Sequence, residues 1–213
     1  KTVGHGLGGV PEMIIIKDRE SGAQEWVVGH HKLASDPWTD YLVLDTAAAV
    51  ADSADYWYDT APTSTVFTVG DVRQVSSVNG DEYIAYCFRS VDGYSKFGSY
   101  AGNSSTDGTF IYLGFRPRYF MLKCTTDSKS WQIFDSARGW RMDSNLRNYK
   151  LTAESNSAEA EFGSAGTAAE FLSNGVKLRT TDNEINDSGD TYIYMAFAET
   201  PFKYSNGGGY FIT

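Results

Sequence analysis

The residues of this chain that could do chemistry are few and poorly grouped. Its three histidines are His5, His30 and His31. His5 lies in a Gly-rich turn. His30 and His31 follow a strand-like run, where neighbouring side chains point to opposite faces and do not share a metal ion. A surface or turn role is expected of all three. No Gly-x-Ser-x-Gly, His-Glu-x-x-His or Cys-x-x-Cys spacing occurs. Gly4-His5-Gly6-Leu7-Gly8-Gly9 has the glycines of a dinucleotide loop, but no helix pattern follows it. Cys87 and Cys124 each sit in an apolar run and read as buried thiols rather than as a disulfide framework.

Carboxylates are more numerous: Asp52, Asp55 and Asp59, then Glu154, Glu159 and Glu161, and the loop Asp182-Asn183-Glu184 with Asn186-Asp187. A glycosidase pair or a calcium loop would use such residues. The last loop lacks the EF-hand spacing, and its residue types suit a solvated turn. No cofactor, no metal and no catalytic residue are therefore expected, and the protein reads as a non-enzyme. Aromatic residues carry more promise. Tyr56-Trp57-Tyr58 stands between Asp55 and Asp59 without alternation, so at least one ring is expected near the surface. Trp38, after Asp36-Pro37, and Trp140, beside Arg138, Gly139 and Arg141, read as loop residues. Exposed rings next to hydrogen-bonding side chains grip a sugar face, and they also hold subunits together. The candidate ligand-binding set is thus Trp38, Tyr56, Trp57, Tyr58, Arg138 and Trp140. The alternative is rings packed beneath loops or at a subunit seam.

The elements that must position these residues are strands. The 14 Tyr, 12 Phe and 5 Trp, with 21 Gly and only 5 Pro, give β-favouring runs punctuated by turn residues. Thr46–Ala54 is the best helical candidate, and one short helix is the most it supports. A net charge of −9 with scattered Lys and Arg argues against nucleic acid. No apolar run approaches the roughly 20 residues of a membrane-spanning helix. The chain opens at Lys1 inside a strand-like stretch, which suggests a fragment, a processed product or the ordered part of something longer.

Self-similarity is the strongest signal. Leu7-Gly8-Gly9-Val10-Pro11-Glu12-Met13-Ile14-Ile15-Ile16-Lys17 aligns without a gap on Leu113-Gly114-Phe115-Arg116-Pro117-Arg118-Tyr119-Phe120-Met121-Leu122-Lys123. Trp26 then meets Trp131, and Gly80-Asp81-Glu82-Tyr83 meets Gly189-Asp190-Thr191-Tyr192. The expected fold is all-β, two tandem, duplicated antiparallel β-sandwich units. Residues 1–91 form the first unit, 92–108 a strand-and-loop connector, 109–203 the second unit, and 204–213 a Gly-rich tail with a terminal strand. Met13–Ile16 is continuously apolar, as in a strand covered on both faces. Lys17 and Lys123 then mark where each such strand reaches solvent, and Trp26 and Trp131 open the return strands as core candidates. In the tail, Tyr210–Ile212 is expected to supply an edge strand, either to the first unit or to a neighbouring subunit.

With those blocks in view, the chain resembles a family of repeat domains of tailed bacteriophages, especially marine and cyanobacterial ones, found in tail-fibre and virion-appendage proteins. The resembling segments include His5-Gly6-Leu7-Gly8 with Pro11, Asp59-Thr60-Ala61-Pro62-Thr63-Ser64 and Phe97-Gly98-Ser99-Tyr100-Ala101-Gly102-Asn103. Further along are Asp135-Ser136-Ala137-Arg138, Leu172-Ser173-Asn174-Gly175-Val176-Lys177-Leu178-Arg179 and Tyr192-Ile193-Tyr194-Met195-Ala196-Phe197-Ala198-Glu199. The resemblance implies a virion surface protein of lectin-like (jelly-roll) β-sandwich type, with no catalytic residues. Relative to that family pattern the opening strand of the first unit is absent. The implied function is host-surface attachment through glycan, as a homo-oligomer, a trimer being the expected form, alongside other virion proteins. A head-decoration protein without a ligand and a polysaccharide-degrading enzyme are the alternatives.

Overall fold

A computed structural model describes residues 1–20, 22–33, 36–76, 80–138, 146–162 and 168–201. The described residues are nearly all β. The first half contains β1 (Thr2–Gly4), β2 (Met13–Asp18), β3 (Val27–His30), β4 (Asp40–Val43), β5 (Ala51–Asp52), helix α1 (Ala54–Trp57), β6 (Val66–Thr68) and β7 (Tyr83–Phe88). The second contains β8 (Ser95–Ala101), β9 (Phe110–Tyr112), β10 (Pro117–Cys124), β11 (Gln132–Asp135), β12 (Leu146–Arg147) and β13 (Tyr149–Thr152). It continues with β14 (Ala160–Glu161), β15 (Ala169–Leu172), β16 (Gly175–Leu178), helix α2 (Asn183–Asn186) and β17 (Thr191–Ala198). The alanine-rich stretch does not make the helix expected of it: residues 46–50 are loop, and α1 begins only at Ala54, capped by Ser53.

Two large sheets dominate, in the orders β5-β4-β3-β2-β7 and β14-β13-β11-β10-β17-β8. Their registers coincide position by position. Met13 faces Phe88 as Tyr119 faces Phe197, and Lys17 faces Ile84 as Lys123 faces Ile193. Ile14 faces Gly29 as Phe120 faces Phe134, and Asp40 faces Asp52 as Tyr149 faces Glu161. These partners stand in the same correspondence as the repeated sequence blocks.

The period-2 alternation of a strand divides each central strand between two cores. Ile14, Ile16 and Val27 pack beneath the β1-β6 ribbon and α1, with Trp38, Trp57 and Phe67. Met13, Ile15 and Val28 point the other way, into a core shared with Phe97, Met121, Trp131, Ile193 and Met195 of the second half. Beyond that, Phe120, Leu122, Phe134 and Tyr192 pack against the sheet β12-β15-β16-β9 through Phe171, Val176 and Leu178. Hence Met13–Ile16 and Phe120–Cys124 are buried without a break, as the continuous apolar pattern requires. The halves are not separately cored units, because the middle core draws on both.

That shared core overturns two expectations about polar residues. Lys123 does not reach solvent. It is fully buried, and its ammonium donates to the Cys124 carbonyl at 2.9 Å and to the Ala47 carbonyl of the other half at 3.3 Å. Burial pushes its pKa down. Lys17, its counterpart, is half-buried and donates to the Gln24 carbonyl. Trp131 is buried, with its indole N–H on the Val43 carbonyl at 2.9 Å, whereas Trp26 is only partly buried.

Nor are His30 and His31 surface residues on opposite faces. Their rings meet edge to face at 4.9 Å, and His30 is wholly buried at the seam. His30 Nδ1 accepts from the Lys32 N–H, and neither Nε2 has a hydrogen-bond partner among the described residues. The turn after β3 folds the second imidazole back on the first. His31 does lie in that turn, and His5 keeps its turn role too, bridging the Leu7 N–H and the Thr63 carbonyl.

Burial, reinforced by the neighbouring His31, pushes His30 down to about 3 from an ordinary value of 6.5. The unfolded chain therefore binds the extra proton between pH 6.5 and about 3, and folding stability falls as pH drops through that window. The slope approaches roughly 1.4 kcal/mol per pH unit. Urea midpoints at pH 7 and pH 4.5 should thus differ more for the wild type than for His30→Gln. Parallel pH profiles would contradict the assignment.

Candidate ligand-binding surface

The aromatic candidates separate cleanly by burial. Trp38, Tyr56 and Trp57 are core residues, 5%, 7% and 0% exposed, which corrects their reading as ligand-facing rings. Trp38 does sit in a turn, but with φ of 79°, a backbone conformation that tryptophan seldom adopts. Its ring meets Trp57 edge to face at 5.5 Å. Gly29 on β3 makes the space: a Cβ there would lie 2.7 Å from atoms of both indoles. Tyr56 stacks on Tyr41 at 3.7 Å, and burial pushes its phenol pKa well up. Tyr58 alone of the triplet reaches the surface, at 44% exposure. It caps α1 in the left-handed region (φ 52°), donating its N–H to Ala54, and Asp59 follows at φ 47°. Two consecutive non-glycine residues in that region cost on the order of 1 kcal/mol each, a kind of strain found at functional sites. Trp140 lies outside the described residues, as does Tyr210–Ile212 of the tail.

Arg138, by contrast, lines an open cleft of about 540 Å³ with Arg118, Tyr119, Asp135, Ala137 and Glu159. Strand pairing builds it. Tyr119 on β10 lies opposite Asp135 on β11, and Arg118 precedes Tyr119. Asp135 Oδ1 accepts the Ala137 and Arg138 N–H groups at 2.8 and 2.9 Å, closing a tight turn. Its Oδ2 accepts from Arg138 Nε, while Arg138 Nη1 donates to Glu159 at 2.8 Å. Hydrogen bonds to Asp135 and Glu159 hold the Arg138 guanidinium firmly charged. Arg118 donates to the Ser136 hydroxyl at 3.0 Å. Burial pushes the Tyr119 phenol up to about 12, and its hydroxyl lies 3.4 Å from Met121 Sδ.

Chemically this is a charged, water-accessible cleft walled by one partly buried ring. Its donors and acceptors suit the hydroxyl groups of a sugar. Both carboxylates accept hydrogen bonds from Arg138. Reading the sequence singled out Arg138 but missed Arg118, Tyr119, Asp135 and Glu159 as its companions. The spacing of Asp135 and Arg138 within Asp135-Ser136-Ala137-Arg138 was the available signal.

The loop at residues 182–187 ties several elements together. Asp182 caps α2, Glu184 accepts from Ser130 N–H and Gln132, and buried Asn186 bridges Asn103, Ser105 and Thr180. Among the described residues no group of three or more His, Cys, Asp or Glu is placed to hold a metal ion.

Trp57→Ala therefore tests folding, not binding. It removes a fully buried indole and should cost about 3–5 kcal/mol of unfolding free energy. A loss under about 1 kcal/mol in urea titration would show that the ring is not core.

No curated protein and no solved structure matches the chain. Residues 1–201 match one protein-family profile, described as a domain of unknown function, DUF7483, and the chain belongs to that family.

Proposed function

We propose that this protein is a non-enzymatic binding module of a bacteriophage particle, displayed on a tail fibre or similar appendage and attaching to host-surface glycan through the Arg138 cleft. The observation that carries the reading is the cleft itself: a charged guanidinium braced by Asp135 and Glu159 next to the Tyr119 ring, open to solvent. Such bracing fixes donor directions before a ligand arrives, which lowers the ordering cost of binding. The resemblance of the repeated blocks to phage appendage domains supplies the setting. The exposed Tyr58 ring at the strained end of α1 is a second contact point. In this reading the chain works as a homo-oligomer, a trimer, with the rigid β layers serving as a spacer.

A second reading, a head-decoration protein with no ligand of its own, is favoured by the burial of Trp38, Tyr56 and Trp57. Immunogold labelling of particles separates head from tail.

The binding test uses purified protein and polysaccharide extracted from host cells. Arg138→Ala should weaken binding roughly tenfold or more, the weight of a charged hydrogen bond. Its effect on stability should stay within about 1 kcal/mol, since its ion pairs are partly solvated. Tyr58→Ala should weaken binding less. Undiminished binding by Arg138→Ala, or release of reducing sugar by the wild type, would overturn the proposal.

A further inference from the structure

The Arg138 cleft holds a second cation that its frame leaves open. Arg118 is exposed on the cleft wall, where its Nη1 donates to the Ser136 hydroxyl at 3.0 Å. Among the described residues that is its one side-chain hydrogen bond, and no carboxylate lies within ion-pair distance of it. The arginines around it are engaged. Arg116 pairs with Glu199 at 2.8 Å, Arg179 pairs with Glu170 at 2.7 Å, and Arg138 is shared between Asp135 and Glu159. A guanidinium carries five N–H donors, and two of them side by side form the fork that takes a carboxylate in parallel bonds. On Arg118 the Nε–Nη2 edge donates to none of the described residues.

The placement of that open edge is what matters. Ser136 N–H donates to the Arg118 carbonyl at 2.8 Å, so Arg118 and Arg138 are pinned to the same turn. A third guanidinium, Arg147, lies behind it: 1% exposed, over the Phe171 ring, and donating to the Arg138 carbonyl at 3.3 Å. Against these three stand two carboxylates, Asp135 and Glu159, both engaged by Arg138. The cleft and the layer beneath it therefore keep an excess of one positive charge among the described residues, in a chain of net charge −9. Arg118 weighs against the charge of the buried Arg147, and an anion at Arg118 relieves both. The first half resolves the same backbone position differently. It carries Glu12 there, and that carboxylate is used internally, accepting from the Ser90 N–H at 3.0 Å and from the Ser90 hydroxyl.

Resting on the reading of this cleft as a glycan site, we propose that the glycan is acidic. The carboxylate of a uronic acid residue takes the open edge of Arg118 in two parallel hydrogen bonds, its ring lies beside Tyr119, and its hydroxyls meet Asp135 and Glu159. Tyr119 suits that place: its phenol, pushed up to about 12 by burial, stays neutral and adds no competing negative charge. Arg118 is then the residue that sets specificity, while Arg138 holds the frame.

The test titrates the full chain calorimetrically with polygalacturonate, with the same polymer after reduction of its carboxyl groups to primary alcohols, and with dextran sulfate. The wild type should bind polygalacturonate roughly tenfold or more tighter than the reduced polymer, the weight of a charge-assisted hydrogen-bond pair. Arg118→Gln should bring those two affinities within about twofold of each other, with an unchanged urea midpoint because the side chain is exposed. Arg118→Lys keeps the charge without the fork and should restore only part of the preference. Equal wild-type affinity for polygalacturonate and its reduced form, with Arg138→Ala weakening both, would overturn the acidic assignment and leave the glycan reading standing. Dextran sulfate bound as tightly as polygalacturonate, or full rescue by Arg118→Lys, would show that bare charge is read and would overturn it as well. Failure to bind polygalacturonate would also overturn it, and the host-polysaccharide titration with Arg138→Ala would then decide the broader reading separately.

Discussion

Two strands whose central residues have water on neither face set the terms for everything else in this molecule. Met13–Ile16 of β2 and Phe120–Cys124 of β10 are buried on both sides, and both strands are hydrogen-bonded on both edges, so each needs four neighbours: a strand left and right, a layer above and below. Neither half can supply all four alone. Each provides its own flanking strands and its own outer layer, and the remaining face is covered only by the other half, through Met13, Ile15 and Val28 against Met121, Ile193 and Met195. Burying that face stabilises both halves by the same apolar transfer, at about 25 cal/mol for each Å² removed from water. Several polar groups caught at the seam pair across it. The Trp131 indole, the Lys123 ammonium and the Val50 amide do so, bonding to Val43, Ala47 and Thr125.

Much of that arrangement was legible in the sequence because it is written in patterns a strand imposes on its residues. The unbroken apolar run Met13–Ile16 announced a strand covered twice, and the repeated blocks announced which strands would pair alike. Gly80 and Gly189, both at positive φ (84° and 96°), were visible as turn residues opening β7 and β17. What local pattern could not show was which layer covers a given face. Lys123 reads as the solvated end of a strand because lysine usually is, and only the arrival of residues 43–50 from the other half makes it an interior residue. His30 failed in the same way. Alternation predicts that His30 and His31 diverge, but the strand ends between them, and the turn brings both rings together.

The aromatic residues show the same limit at the candidate site. A tryptophan in a Pro-containing turn looks exposed by every local criterion, and the backbone at Trp38 is indeed a turn. Its ring is nevertheless in the core, because φ of 79° turns it inward and Gly29, nine residues earlier and two strands away from α1, leaves the room. Burial of a large ring is decided by a vacancy elsewhere in the chain. Arg138 was easier to place, since its partner Asp135 is three residues away and closes the turn that carries it.

The Arg138 cleft is also where the two halves part company despite their matched frames. By pairing register its Arg118, Tyr119 and Asp135 occupy the places held in the first half by Glu12, Met13 and His30. One backbone bond is common to both: Ser136 N–H donates to Arg118 as His31 N–H donates to Glu12, each at 2.8 Å. On that shared scaffold the first half folds its polar groups inward, with Glu12 accepting from the Ser90 N–H and His30 sealed in the seam. The second opens its own outward as a braced cation. Packing alone would be content with the closed version at both places, since buried, paired groups hold the sheet ends together equally well. An open, solvated cation with two carboxylate braces adds little to stability, so the place where the shared frame departs from simple closure is the place where a ligand has most to act upon.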